Sequence, residues 1–252
     1  MSLKHYRDLS LAAVPGGTIV VAADSCAATG EKSGDALPCP PYHCGRVSAR
    51  VVLFELLCIG AQVLVIADGV CAEMNPTGLE IIRGFTDELK RADLPADILT
   101  GSTEENFPTV MTGVGTAGIG YCPGPFTPPV CHAGDAVACL GTPIVGAAFL
   151  TARDGDIATY EHLRKLSADA AVRELVPVGS KGIAYEAENA AALHQLALQW
   201  DAHIPLNLTQ SGGPASCVVV ILTGDAFEVY RRILPLTRLG VLTPAGDRKS
   251  VV

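Results

Sequence analysis

Three carboxylates stand where this chain is otherwise apolar. Asp24 closes the Val-rich run Thr18 to Ala23, Asp68 closes the Val/Ile/Leu run Val63 to Ala67, and Glu55 is the only ionisable residue between Val51 and Val63. Strand ends in α/β layers are where ligands gather, so two aspartates placed there point to a shared site, although either alone could simply start a turn. Glu55 lies in a helix with no evident wet face. It must pair, with Arg50 or with a lysine elsewhere, or be protonated, or bind a cation, because an unpaired buried charge is costly.

Two loops add to this set. Thr100 to Asn106 offers Gly101, the hydroxyls of Ser102 and Thr103, the two carboxylates Glu104 and Glu105, and Asn106. Such a loop can cap a helix, or it can cradle phosphates with backbone N–H groups and lend Mg²⁺ its oxygens. The loop after Asp24 brings Lys32 toward the same end. Acids for Mg²⁺ with a lysine and amides for phosphates describe a Mg²⁺-nucleotide site. It has no Walker loop, since Gly30 to Lys32 lacks that spacing, and its chemistry would rest on positioning and charge neutralisation.

Other constellations are weaker. His43, His132, His162, His194 and His203 show no paired metal spacing and read as surface or capping residues. No GxSxG elbow supports a serine hydrolase. The nine cysteines include no CxxC pair and read as reduced thiols, several of them in the core. Cys26, beside Asp24, is expected to be one of those core thiols.

The elements that must position these residues alternate between strand and helix. Strands are expected at Thr18–Ala23, Val63–Ala67, Val110–Gly120, Ala136–Leu140 and Ser216–Leu222, with a further strand around Val176. Helices are expected at Val47–Ala61, from Asn75 and Pro76 to Arg91, and over Tyr160–Leu175, Glu186–Trp200 and Ala226–Leu234. Between Cys122 and Gly134, Pro123, Pro125, Pro128 and Pro129 exclude regular structure. Gly141 and Pro143 suggest a boundary, giving domains 1–141 and 142–252, both α/β.

Composition sets the outer limits. With 252 residues, 49% of them apolar and 17% charged, the chain can fill a large core and is not disordered. A formal charge of -8 argues against nucleic acid and against a polybasic membrane anchor. No apolar run approaches the roughly 20 residues a membrane span needs. Pro15, Gly16 and Gly17 break the only segment that could act as a signal peptide, so a cytoplasmic location is expected.

Four segments also resemble the superfamily of aminoimidazole ribonucleotide synthase, selenophosphate synthetase, thiamine-monophosphate kinase and the hydrogenase maturation protein that dehydrates a carbamoyl group. Val20-Val-Ala-Ala-Asp-Ser to Lys32 is similar to its strand, aspartate and lysine loop, and Phe54-Glu-Leu-Leu through Asp68 to its acidic helix, Gly-Ala turn and strand. Thr100-Gly-Ser-Thr stands where members carry a Gly-Gly-acid-Thr loop, with Ser102 replacing the acid. Gly134-Asp135 with Gly141 resembles the Gly-Asp strand that closes their first domain. Within the superfamily the α-ribazole kinases of cobalamin salvage are the nearest likeness, through these segments, Pro143-Ile-Val-Gly and Pro177-Val-Gly-Ser-Lys-Gly-Ile.

The resemblance implies a two-domain PurM-like fold, mixed α/β, and a homodimer whose first domains join their sheets in a barrel. It implies ATP with Mg²⁺, and transfer of the γ-phosphoryl group to the 5′-hydroxyl of α-ribazole, a small nucleoside. Carried onto this chain, Asp24 and Lys32 become catalytic, Asp24, Glu55 and Asp68 hold the metal, and Gly101, Ser102, Thr103, Glu104 and Asn106 line the nucleotide. A thiamine-phosphate-type kinase, a synthase activating a carbonyl or amide oxygen, and a nucleotide sensor without turnover are the alternatives. Ser102 in place of an acid motivates the last of these.

Overall fold

The computed structural model describes residues 3–246, which divide into two compact units at Pro128/Pro129. In the first unit a six-stranded sheet runs in the order β1-β2-β3-β8-β6-β7. Its strands are β1 (Leu3–Tyr6), β2 (Leu9–Val14), β3 (Gly17–Ala27), β6 (Gln62–Val70), β7 (Leu99–Thr103) and β8 (Gly113–Pro123). A parallel pair of two-residue strands, β4 (Thr29–Gly30) and β5 (Leu37–Pro38), folds the loop after β3. Neighbours in the large sheet are antiparallel except β6 and β7.

Two helices cover one face. Helix α1 (Tyr42–Cys58) buries Val52, Leu53, Phe54 and Leu56, and α2 (Leu79–Arg91) buries Ile81, Phe85 and Leu89 at helical spacing. The two pack backbone to backbone at Gly45 and Gly84, where an added methyl would overlap the carbonyl oxygens of Ile81 and Tyr42. Glu88, fully buried, joins them by accepting from Arg46 Nε at 3.0 Å and lying 3.7 Å from Arg50. On the sheet, Val52 and Leu56 settle over Gly118.

The second unit is built on a five-stranded sheet in the order β10-β12-β9-β13-β11, with all neighbouring strands antiparallel. Its strands are β9 (Ala136–Leu140), β10 (Val172–Pro177), β11 (Leu196–Trp200), β12 (Val218–Leu222) and β13 (Leu236–Pro244). The central strands β9 and β12 are buried along their whole length, as strands covered on both faces must be. The helices are α3 (Ala147–Leu150), α4 (Tyr160–Ser167), α5 (Gly182–Leu193) and α6 (Gly224–Tyr230). Ile183, Ala187, Ala190 and Ala191 of α5 pack with Val176, Val219, Ile221 and Val137 in one aliphatic core.

The division differs from the expected boundary at Gly141. The strand Ala136–Leu140 pairs with β12 and β13, so its residues belong to the second sheet. The aspartates do not terminate their strands either. β3 and β6 continue past Asp24 and Asp68 to Ala27 and Val70.

Candidate active site

Register brings the two aspartates together. Asp24 of β3 and Asp68 of β6 both pair with Thr116 of the intervening strand β8, and Asp68 also pairs with Gly101 of β7. Cross-strand partners share a face, so the row Asp24, Thr116, Asp68, Gly101 lies on the helix-covered side, with Val20, Ala22 and Ile66. Two interstrand spacings separate the aspartate backbones, about 10 Å.

The electrostatics of this row are unusual for an aliphatic layer. Burial lifts the Asp68 carboxyl to about 6, and burial also raises that of Asp24, against a hydrogen bond from the Ser25 backbone. Among the described residues neither aspartate has an ion-pair partner. Between them Thr116, 4% exposed, has a buried hydroxyl oxygen without a hydrogen-bond partner. Two carboxylates and an orphan hydroxyl on one face provide hard oxygen donors, the set a Mg²⁺ ion takes together with its waters. The residues therefore fit the ion.

Gly101 serves this row through its missing side chain. The Asp68 carboxylate occupies the space where a Cβ on Gly101 would stand. The segment expected to be a phosphate loop is instead strand β7 through Thr103, and Ser102 points to the opposite face from Gly101 and Thr103. Beyond the strand, Glu104 turns back on its own loop. The Asn106 N–H donates to it at 2.6 Å and that of Phe107 at 3.2 Å, holding its carboxyl below the usual range.

Around the row, the loops leaving β3, β6 and β7 are tied into a rim. Lys32 Nζ donates to Glu73 at 2.6 Å, and Glu73 also accepts from the Thr77 hydroxyl; these two bonds hold the Glu73 carboxyl at about 2. Glu105 accepts from Met74 N–H at 2.7 Å and from the Thr103 hydroxyl at 2.9 Å. Asp35 accepts from both the N–H and the hydroxyl of Thr112, each at 2.8 Å. Lys32 is thus at the rim, engaged by Glu73 and not by either aspartate of the row.

Glu55 follows the pairing alternative. Arg7 lies 3.7 Å from it, while Arg50, one of the partners offered by the sequence, lies 3.7 Å from Glu88. Cys26, two residues beyond Asp24 on the same face, is half-buried and not the inert core thiol expected. The Cys44 thiol hydrogen-bonds to it and pulls its pKa below the usual thiol range, against burial, with Thr29 assisting. Sequence reasoning also missed Thr116. Its only signal was a threonine inside the Gly-rich strand Gly113 to Gly120, and only the strand order places it between the acids.

A mixed, largely antiparallel sheet carrying an acidic row beneath two helices, followed by an antiparallel α/β unit, defines the class of this protein. No protein-family model and no curated protein matches the chain. Solved structures do. A thiamine-monophosphate kinase from Stenotrophomonas maltophilia K279a aligns with a TM-score of 0.64 at 19% identity, over 91% of this chain and 84% of that one. A HypE-HypF complex aligns with a TM-score of 0.67 at 17% identity, over 92% and 86%. The structure described as AaThiL complexed with AMPPCP and TMP aligns with a TM-score of 0.62 at 10% identity, over 94% and 84%. At these identities the likeness establishes the fold, which is PurM-like and mixed α/β.

Proposed function

We propose that the chain is a Mg²⁺-dependent kinase that takes ATP and a small alcohol acceptor. The observation that carries this reading is the row of half-buried Asp24 with buried Thr116 and Asp68, donors suited to Mg²⁺ with no cation paired to either acid among the described side chains. Asp24 and Asp68 would hold the ion, directly or through water, and the ion would neutralise charge on the phosphates. Lys32, released from Glu73, would reach phosphate oxygens from the rim. The similarity to a thiamine-monophosphate kinase, and to a relative bound to AMPPCP and TMP, supports the choice of a nucleotide and a small vitamin-like acceptor.

The proposed acceptor is the 5′-hydroxyl of α-ribazole, on the strength of the sequence resemblance. Incubating the protein with ATP, Mg²⁺ and α-ribazole is expected to give ADP and the 5′-phosphate by mass spectrometry. Phosphorylation of thiamine phosphate or another nucleoside instead would keep the kinase and reject the acceptor. Release of free phosphate with a newly formed amide or imine would mark a synthase. Nucleotide binding without any transfer would mark a sensor, the reading favoured by Ser102 and by the engagement of Lys32 with Glu73. The proposed setting is a homodimer formed through the first units.

A further inference from the structure

The second unit holds a side-chain cluster that the kinase reading does not use. Cys131 precedes β9, Glu174 lies on β10, and His194 caps the C-terminus of α5. One donor atom from each lies within 4.8 Å of the others. His194 Nε2 and Glu174 Oε2 are 2.7 Å apart, with side chains 8% and 3% exposed, and Cys131 is 8% exposed.

Local structure aims these groups at one another. The pairing of β10 with β12 shifts register between Val172 and Glu174, an irregularity of the kind that re-aims a side chain. From there Glu174 pairs with Ile221 and shares the face of Val176, so its carboxylate enters the aliphatic core under α5. Cys131 belongs to that same core. An alanine-rich helix ending in a histidine brings the imidazole to the carboxylate. Burial of a carboxylate, an imidazole and a thiol together in an aliphatic core costs stability unless their chemistry is satisfied there.

We propose that Cys131, Glu174 and His194 form a binding site for a divalent transition metal, with donors matched to Zn²⁺. One sulfur, one nitrogen and one oxygen suit a borderline ion and do not suit Mg²⁺ or Ca²⁺, which require oxygen. Tetrahedral zinc sets neighbouring nitrogen and oxygen ligands roughly 3.3 Å apart, so the His194–Glu174 pair need open by only about 0.6 Å to admit it. Three protein ligands leave a fourth position for a water or a ligand oxygen. On binding, the metal displaces the thiol proton, which passes to solvent, and the proton shared by His194 Nε2 and Glu174 Oε2, which passes to imidazole Nδ1 or to solvent.

Cobalt titration of the chelator-stripped full chain tests this directly. The expected result is a thiolate-to-cobalt charge-transfer absorption that saturates at one equivalent and is abolished by added Zn²⁺. Cys131→Ser should remove the band, Cys26→Ser should leave it, and His194→Gln or Glu174→Gln should weaken cobalt affinity by about tenfold or more. Near-ultraviolet circular dichroism reports whether each variant is folded. Where Cys131→Ser unfolds, the two Gln variants decide the matter. No thiolate band in the wild type, a band that survives Cys131→Ser, or unchanged affinity in both Gln variants overturns the proposal and leaves a buried histidine–carboxylate pair beside a neutral thiol.

Discussion

Asp68 shows what a single side chain contributes to the first unit. Its carboxyl is raised to about 6 by burial alone, so ionising it in the folded chain is harder than in the unfolded one. A raised carboxyl favours the fold at low pH and works against it as pH climbs from the unfolded value near 4 through about 6. Asp68→Asn should therefore stabilise the metal-free protein at neutral pH by about 1–2 kcal/mol, read as a higher Tm. Mg²⁺ with ATP should raise the Tm of the wild type and not of the variant. A variant less stable than wild type without Mg²⁺ would show that Asp68 has a structural role instead. Cys26 yields a second prediction at this scale. Iodoacetamide should alkylate it with a midpoint below that of an ordinary thiol, and Cys44→Ala should move that midpoint upward by removing the thiol hydrogen bond. Peptide mass spectrometry across pH reads both. The acids of this site could be found in the sequence because charge inside Val-rich runs is conspicuous, whereas Thr116 could not, because a threonine is ordinary in a strand.

Helix α1 packs on the sheet face that carries that row and α2 packs against α1, and the contact between the two helices depends on a few residues. Glu88→Ala would leave Arg46 and Arg50 facing a buried void and should cost about 3–5 kcal/mol in chemical denaturation. Gly84→Ala, which forces a methyl against the Tyr42 carbonyl, should cost about 1–3 kcal/mol. Losses below about 0.5 kcal/mol in both would mean that the helices can separate freely. These helices could be read from apolar spacing, although α1 runs from Tyr42 to Cys58 and not from Val47 to Ala61, and α2 begins at Leu79, after the separate turn Met74–Gly78 in which Asn75 is not helical. Elsewhere punctuation failed. The segment Glu186–Trp200 reads as one helix, yet α5 stops at Leu193 and β11 begins at Leu196, because Gln195 takes a positive φ of 59° where no glycine or proline announces a turn. Likewise α4 ends at Ser167, and the Ala171 N–H donates to Asp169 at 2.8 Å before β10 begins, inside what reads as a single helix to Leu175. The short strands β1 and β2 carry too little pattern to be seen without their partners.

For the whole molecule, the PurM-like likeness covers nine-tenths of the chain, and the compact units meet at Pro128/Pro129, with the strand Ala136–Leu140 in the second of them. The face of the first sheet opposite α1 carries Ile19, Val21, Ala67, Ala117 and Ile119, partly buried, and exposed Ala23, on adjacent strands. Such a face is suited to a second copy of the chain. Sedimentation equilibrium should give twice the chain mass, and Val21→Asp should give the monomer; a monomeric wild type would remove the dimer from the account. Among the described residues no helix is long and apolar enough to cross a membrane.

The central claim is that the row of Asp24, Thr116 and Asp68 binds Mg²⁺ and through it ATP. Calorimetric titration of ATP into the wild type and into Asp24→Asn, each with and without Mg²⁺, tests it most directly. The account predicts binding by the wild type only when Mg²⁺ is present, and its loss in a variant that remains folded with a Tm at or above that of the wild type. Equal, Mg²⁺-dependent binding by Asp24→Asn, or wild-type binding that ignores Mg²⁺, would contradict it.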